Sequence, residues 1–263
     1  MSQYWSFTSL VRQGTLKERL IVSLDLGAPR EALKLVERLG RNVGMFKVGK
    51  RLFLNGGCEL VRDIRKRGGE VFLDLKFHDT PQAVCKSAIE ATRLGARMFD
   101  LHPYGSLEAM ERVRAEVARV CRNEGLRRPH VLAVAMLTSL RAGELEMADS
   151  QDRVVRLAKL AVDASLDGVM TSPLEISRIR QVCGRRLIIV TSGLKLDEPN
   201  RPGLRASGVS AAVRAGADYL VVGSPIWNAA EPIRAVREIV VEIERGMRAN
   251  PRGALELFSG RPA

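Results

Sequence analysis

Five charged residues of alternating sign lie at or near the ends of three short apolar segments. Asp25 ends the first segment, Lys47 lies within the second, and Asp74, Lys76 and Asp79 end or follow the third. Asp74 and Lys76 are two residues apart, so on a strand their side chains point to the same side. Burial of one charge is costly, whereas acids and lysines together neutralise one another. Such a group can stabilise charge and transfer protons, so we predict a catalytic cluster, with a structural salt bridge as the alternative.

Eight short apolar segments are separated by amphipathic stretches. Several are apolar throughout, as expected for parallel strands covered on both faces. The predicted strands are residues 20–25, 44–48, 70–75, 96–101, 130–137, 167–171, 187–191 and 218–222. Apolar residues recur at helical spacing between them, for example in residues 30–39, 57–67, 83–94, 107–121, 152–165 and 233–247.

Eight strand-then-helix units in a chain of 263 residues predict an α/β fold, namely a single-domain (β/α)8 TIM barrel. We expect residues 1–17 to be an N-terminal extension, 18–248 the catalytic barrel and 249–263 a C-terminal tail. A doubly wound open sheet is the alternative fold, but the first strand is not followed by the Gly-x-Gly-x-x-Gly turn typical of that class. In a barrel the charged cluster lies at the C-terminal strand ends, where active sites form.

The formal net charge of +12 raises the question of a nucleic-acid partner. The basic residues are scattered along the chain and only 5% of residues are aromatic, which favours a solvated basic surface instead. No apolar run is long enough to span a membrane, and the N-terminus lacks a signal-peptide layout. We therefore predict a cytoplasmic protein that binds neither nucleic acid nor membrane.

Two other enzyme classes lack their motifs. The three histidines, His78, His102 and His130, form no cluster with carboxylates at metal-ligand spacing, so we predict no metal. No Gly-x-Ser-x-Gly elbow is present, which argues against a serine hydrolase.

The segment VFLDLKFHDTP, residues 71–81, closely resembles the signature of the orotidine 5'-phosphate decarboxylase family. The resemblance covers nearly the whole chain, through SLD at 23–25, FKVG at 46–49, MLTS at 136–139, TSP at 171–173 and GADYLVVG at 216–223. It implies a (β/α)8 barrel that decarboxylates orotidine 5'-monophosphate, a step of pyrimidine biosynthesis, without a cofactor. The shorter Asp-x-Lys-x-x-Asp core alone is shared with related sugar-phosphate decarboxylases and aldolases.

The resemblance also implies roles for individual residues. Lys76 would stabilise the C6 carbanion and protonate it, and Asp74 would lie near the substrate carboxylate. Lys47 would orient Asp74 and, with Asp25, hold the ribose hydroxyls. Asp79 would enter the site of the partner subunit, which implies a homodimer with shared active sites. Further substrate contacts are implied for Thr80, Thr138, Ser172, Lys195, Gly223 and Ser224.

The phosphate-binding positions depart from the family pattern. Lys195 and Ser224 stand where the family has arginines, and Gly203 falls on the position of a loop glutamine. Backbone N–H groups at Gly223 and Ser224, or the loop arginines Arg201 and Arg205, could bind the phosphate instead. Three hypotheses follow: an orotidylate decarboxylase with a rearranged phosphate site, a divergent relative with another substrate, or a non-catalytic binding protein.

Overall fold

Eight parallel strands close into a barrel in the computed structural model of the chain. The structure describes residues 16–103, 107–135, 147–194 and 208–249, and for residues 147–151 it describes the backbone alone. The strands are β1 (Leu20–Ser23), β2 (Met45–Gly49), β3 (Val71–Phe77), β4 (Met98–Leu101), β5 (His130–Val134), β6 (Gly168–Thr171), β7 (Ile188–Thr191) and β8 (Tyr219–Val222). Each strand pairs with its neighbour in the sequence, and β1 pairs with β8 to close the ring.

Helices follow the strands and cover the outside of the barrel. They are α1 (Pro29–Leu39), α2 (Lys50–Lys66), α3 (Pro81–Arg93), α4 (Leu107–Glu124), α5 (Met147–Asp163), α6 (Ile176–Cys183), α7 (Val209–Ala215), α8 (Ser224–Trp227) and α9 (Pro232–Arg248). Short 3-10 turns span Gly40–Asn42 and Pro173–Glu175. None of the helices in the described part of the chain is both long and apolar enough to cross a membrane.

The apolar core has two parts, because successive side chains of a strand point to opposite faces. The outward-facing strand residues pack against the helices in a large cluster that includes Val22, Phe46 and Phe99. The inward-facing residues fill the barrel with Ile21, Met45, Phe72, Met98, Leu132, Met170, Ile188, Val190 and Val221. Strands buried on both sides explain the nearly continuous apolar runs of the sequence.

The structure confirms the predicted (β/α)8 barrel and the position of all eight strands. Strand ends differ by a few residues: β1 ends at Ser23, before Asp25, whereas β3 continues to Phe77. Helix α2 begins at Lys50, seven residues before the predicted start, and the predicted start at Gly57 coincides with a kink in the helix, where φ is 57°. The predicted terminal segments lie almost wholly outside the described residues, as does the end of the predicted fifth strand.

Candidate active site

A polar layer lies directly above the apolar filling of the barrel. Two residues beyond Ile21, Met45, Phe72 and Met98, the same inward-facing positions are occupied by Ser23, Lys47, Asp74 and Asp100. All four of these polar residues are buried, and Asp100 has no exposed surface. The layer lies toward the C-terminal ends of β1 to β4, which is where barrel enzymes place their active sites.

Lys47 links two carboxylates of this layer. Its Nζ lies 3.2 Å from Oδ1 of Asp25 and 3.1 Å from Oδ2 of Asp74. Burial alone would lower the pKa of Lys47, but the two neighbouring carboxylates outweigh it and raise that pKa. Ser23 Oγ donates a 2.6 Å hydrogen bond to Oδ2 of Asp25, so both oxygens of that carboxylate are held. Lys47 is therefore a fixed cation that orients Asp25 and Asp74.

Asp74 lies between the two lysines. Its Oδ2 pairs with Lys47, and its Oδ1 accepts a short hydrogen bond from Nζ of Lys76. Burial would raise the pKa of Asp74, yet the two cations outweigh burial and hold it at about 2. Asp74 is consequently ionised at neutral pH although it is almost fully buried.

Lys76 has an unusual backbone conformation for a residue that is not glycine. Its φ is 50°, in the left-handed region, and the pairing of β3 with β4 shifts between Leu73 and Phe77. Such a conformation costs on the order of 1 kcal/mol or more and persists only where the surroundings enforce it. The Lys76 side chain is 21% exposed, against 9% for Lys47 and 5% for Asp74, so its amine is more open to a ligand than either of these two groups.

Asp100 completes the cluster, although it is not among the residues predicted from the sequence. Its Oδ1 accepts a 2.7 Å hydrogen bond from the backbone N–H of Lys76, and its Oδ2 lies 3.8 Å from Nζ of Lys76. Burial, reinforced by the nearby charge of Asp74, raises the pKa of Asp100 well above its ordinary value. The two-residue spacing in the sequence indicates that Asp100 faces the barrel interior, because Asp100 follows the inward-facing Met98 by two residues, as Asp74 follows Phe72.

Asp79 and Thr80 lie on the exposed turn between β3 and α3. Oδ1 of Asp79 accepts a 2.6 Å hydrogen bond from the backbone N–H of Thr80. Thr80 is the N-cap of α3, where its Oγ1 accepts from the backbone N–H of Ala83 at 3.4 Å. Among the described residues no lysine or arginine pairs with Asp79, so within its own chain it stands outside the Lys47–Asp74–Lys76 ion-pair cluster.

The remaining predicted contacts are only partly described. Ser172 follows β6, and its buried Oγ has no hydrogen-bond partner among the described residues. Gly223 and Ser224 follow β8 at the start of the four-residue helix α8, and Ser224 is exposed. Thr138, Lys195 and the Gly203 position, like Arg201 and Arg205, lie outside the described residues.

Two of the three histidines lie at the same end of the barrel as the lysines. The rings of His78 and His102 have centroids 5.1 Å apart. Burial lowers the pKa of His102, and the neighbouring His78, Lys50 and Lys76 lower it further. His130 begins β5 at the opposite end of the barrel. In the described ranges, no three His, Cys, Asp or Glu side chains are grouped so that they could hold a metal ion.

Fold and site together define a (β/α)8-barrel protein with a buried lysine–carboxylate cluster at its C-terminal face. A protonated amine held by an ionised carboxylate can stabilise developing negative charge and supply a proton. The chain belongs to the orotidine 5'-phosphate decarboxylase / HUMPS family, whose profile matches residues 18–239.

Individual relatives agree with this assignment. The chain is 43% identical over 235 residues to a protein from Pelobacter propionicus named orotidine 5'-phosphate decarboxylase, covering 88% of this chain and 97% of the relative. A protein of the same name from Geobacter sulfurreducens is 43% identical over 240 residues, covering 88% of this chain and 98% of the relative. The crystal structure of orotidine 5'-phosphate decarboxylase from Lactobacillus acidophilus superimposes with a TM-score of 0.73 at 29% identity, covering 85% and 98% of the two chains.

Proposed function

We propose that the barrel, residues 18–248, decarboxylates orotidine 5'-monophosphate to uridine 5'-monophosphate without a cofactor, as a step of pyrimidine biosynthesis. In this reaction the bond from C6 to the carboxylate carbon breaks and carbon dioxide leaves. The electron pair remains on C6, and Nζ of Lys76 then donates a proton to it. The neutral amine of Lys76 regains its proton from solvent, which closes the cycle.

The observation that carries the proposal is the contact between Lys76 and Asp74. The carbanion at C6 is poorly delocalised, so it needs a nearby cation and a proton donor. Lys76 supplies both, and ionised Asp74 keeps its amine charged and oriented. Asp74 would also lie near the substrate carboxylate and disfavour the bound ground state.

Other residues are proposed to bind the rest of the nucleotide. Asp25 and Lys47 would hold the ribose hydroxyls, because both lie in the polar layer and are fixed to each other. Ser172, with an unpartnered buried hydroxyl among the described residues, would contact the base. Backbone N–H groups at Gly223 and Ser224 would bind the phosphate.

Three further substrate contacts follow from the family resemblance. Thr138 and Lys195 are proposed as contacts to the nucleotide, with Lys195 supplying a cation to the phosphate. Thr80 is proposed to act from the partner subunit, since it belongs to the exposed turn before α3.

We also propose a homodimer in which Asp79 completes the site of the partner subunit. The exposure of Asp79 and its lack of a basic partner among the described residues support this role. A second carboxylate beside Lys76 would hold its amine charged from the other side. Each active site would then depend on two chains.

The test is the loss of absorbance as orotidylate becomes uridylate, measured with purified protein. We expect turnover by the wild type, and Lys76→Ala should reduce kcat by about 10³-fold or more. Lys66→Ala is the matched control, because Lys66 is an exposed lysine on α2 whose partner is Asp63. A wild type without turnover would reject the proposed substrate, and equal turnover by Lys76→Ala would reject the proposed proton donor.

The departure at Ser224 favours a second candidate, a relative with the same barrel that acts on another substrate. Ser224 is exposed and uncharged at the start of α8. If the pocket binds another ligand, orotidylate would bind weakly and an added arginine would not help. A comparison of KM for wild type and Ser224→Arg separates the two candidates.

A further inference from the structure

Asp100 is a buried titratable residue that the proposed reaction does not use. It has no exposed surface. It lies on β4 beside Asp74, the carboxylate that pairs with both Lys47 and Lys76. Its Oδ1 accepts the 2.7 Å hydrogen bond from the backbone N–H of Lys76. This hydrogen bond joins a buried carboxyl group to the backbone of Lys76, whose φ is positive.

The second oxygen of Asp100 lacks a donor. Oδ2 is buried, and no described residue gives it a hydrogen bond, since Nζ of Lys76 is 3.8 Å away. Its neighbour is the carboxylate of Asp74, which also offers only acceptor oxygens when ionised. Two carboxylates in contact share a hydrogen bond only if one of them carries a proton.

The charges of the cluster indicate which carboxyl group carries that proton. Lys47 and Lys76 are two cations, and Asp25 and Asp74 are the two anions paired with them. This set is already neutral, so an ionised Asp100 would add an uncompensated charge where nothing is exposed to water. Asp74 contacts both lysines directly, whereas Asp100 lies beyond hydrogen-bond distance of either amine.

We propose that Asp100 is a neutral acid that positions Lys76, with Oδ1 accepting the Lys76 backbone N–H and protonated Oδ2 donating to Asp74. The first hydrogen bond holds the backbone of Lys76 in its left-handed conformation. The second fixes the carboxylate of Asp74, which pairs with the amine of Lys76. Both bonds act on the placement of Nζ, so Asp100 acts through Lys76 and Asp74. The kinetic part of the inference rests on the proposed function.

Asparagine at position 100 is the informative conservative substitution. An amide has one acceptor oxygen for the Lys76 N–H and an N–H donor for Asp74, which reproduces the neutral acid and cannot ionise. We expect Asp100→Asn to keep kcat within about threefold of the wild type. Asp100→Leu has a similar volume but neither bond, and we expect its kcat to fall about 100-fold, because a displacement of about 1 Å costs that much. KM for both variants should stay within about threefold, because the substrate contacts remain.

Asp218 provides the matched control. Its Oδ2 accepts a 2.8 Å hydrogen bond from the backbone N–H of Ile189 and pairs with Arg180, at the opposite end of the barrel. Asp218→Leu removes a structural anchor of the same kind and should lower Tm without changing kcat more than about threefold. A loss of kcat in Asp100→Leu that exceeded the loss in Asp218→Leu at matched Tm would support the positioning role.

Crystal structures of the two Asp100 variants test the inference without reference to turnover. Asp100→Asn should keep φ of Lys76 positive, and Asp100→Leu should lose it and move Nζ away from Asp74. An Asp100→Leu structure with unchanged Lys76 would overturn the proposal, whether or not the wild type decarboxylates orotidylate. If Asp100→Leu does not fold, Asp100→Asn tests the proposal by itself. A folded Asp100→Asn protein whose kcat is reduced more than about tenfold would overturn the proposal, and a retained kcat would support it.

Discussion

Replacement of Lys47 by Met is expected to destabilise the barrel as well as impair the reaction. The Lys47 side chain is 9% exposed and contacts Asp74, which is 5% exposed, and Asp25, which is 58% exposed. Removal of one member of a buried ion pair costs about 3–5 kcal/mol, because the other charge remains buried. Asp74 retains Lys76 as a partner, so we expect the lower limit, about 3 kcal/mol.

The loss of unfolding free energy in Lys47→Met and its dependence on pH can both be measured. For a domain of this size, about 3 kcal/mol at about 2–4 °C per kcal/mol corresponds to a fall in Tm of about 6–12 °C. The lysines hold the pKa of Asp74 at about 2, below its unfolded value, so the ionised carboxylate stabilises the wild type above about pH 4. That contribution is lost as pH falls toward the folded pKa. The stability difference between wild type and variant should therefore be largest at neutral pH and shrink in acid.

The assay is urea unfolding of wild type and Lys47→Met from about pH 7 down to about pH 3. Lys66→Met is the matched control, because Lys66 is 69% exposed and its pair with Asp63 is worth about 0.5 kcal/mol or less. Equal stabilities of Lys47→Met and Lys66→Met at neutral pH would refute the reasoning. A difference from wild type that did not change with pH would refute the assigned role of Asp74.

Three further predictions follow from the same site. If Asp79 acts across the dimer interface, mixing Asp79→Ala with Lys76→Ala should restore turnover; no recovery despite demonstrated subunit exchange would place Asp79 elsewhere. Ser224→Arg should lower KM for orotidylate about tenfold by adding a charged hydrogen bond to phosphate; an unchanged KM would favour another substrate. Burial and Asp74 raise the pKa of Asp100, so the folded wild type should lose stability as pH rises above about 4. The Tm of Asp100→Asn should then exceed that of the wild type by an amount that grows as the pH rises above about 4, and a constant difference would contradict this.

The barrel could be predicted because its strands are buried on both faces, so several of them are uninterrupted apolar segments, as in residues 187–191. Helices of seven or eight residues, such as α6 and α7, are too short to show a clear 3.6-residue repeat. The contact between Asp74 and Lys76 could be predicted from their two-residue spacing. The left-handed backbone of Lys76 could not, because no glycine marks it and a residue on another strand holds it in place.

Asp100 shows a different limit of the sequence argument. In the segment MFDL, Asp100 follows an inward-facing apolar residue by two positions, as Asp74 does. Asp74 is followed two residues later by Lys76, but no lysine follows Asp100 at that spacing to indicate a charged cluster. Its partner is a backbone N–H on β3, which no side-chain pattern records. The register between β3 and β4 was needed to bring the two together.

The central claim is that Lys76 protonates C6 after loss of carbon dioxide, and product analysis in deuterated water tests it most directly. Orotidylate is incubated with wild type or Lys76→Ala at equal concentrations of folded protein, and uridylate is examined by NMR. The account predicts that the wild type forms uridylate with deuterium at C6 and releases one carbon dioxide per product, whereas Lys76→Ala forms almost none. Uridylate formed equally fast by Lys76→Ala, or without deuterium at C6, would contradict the account.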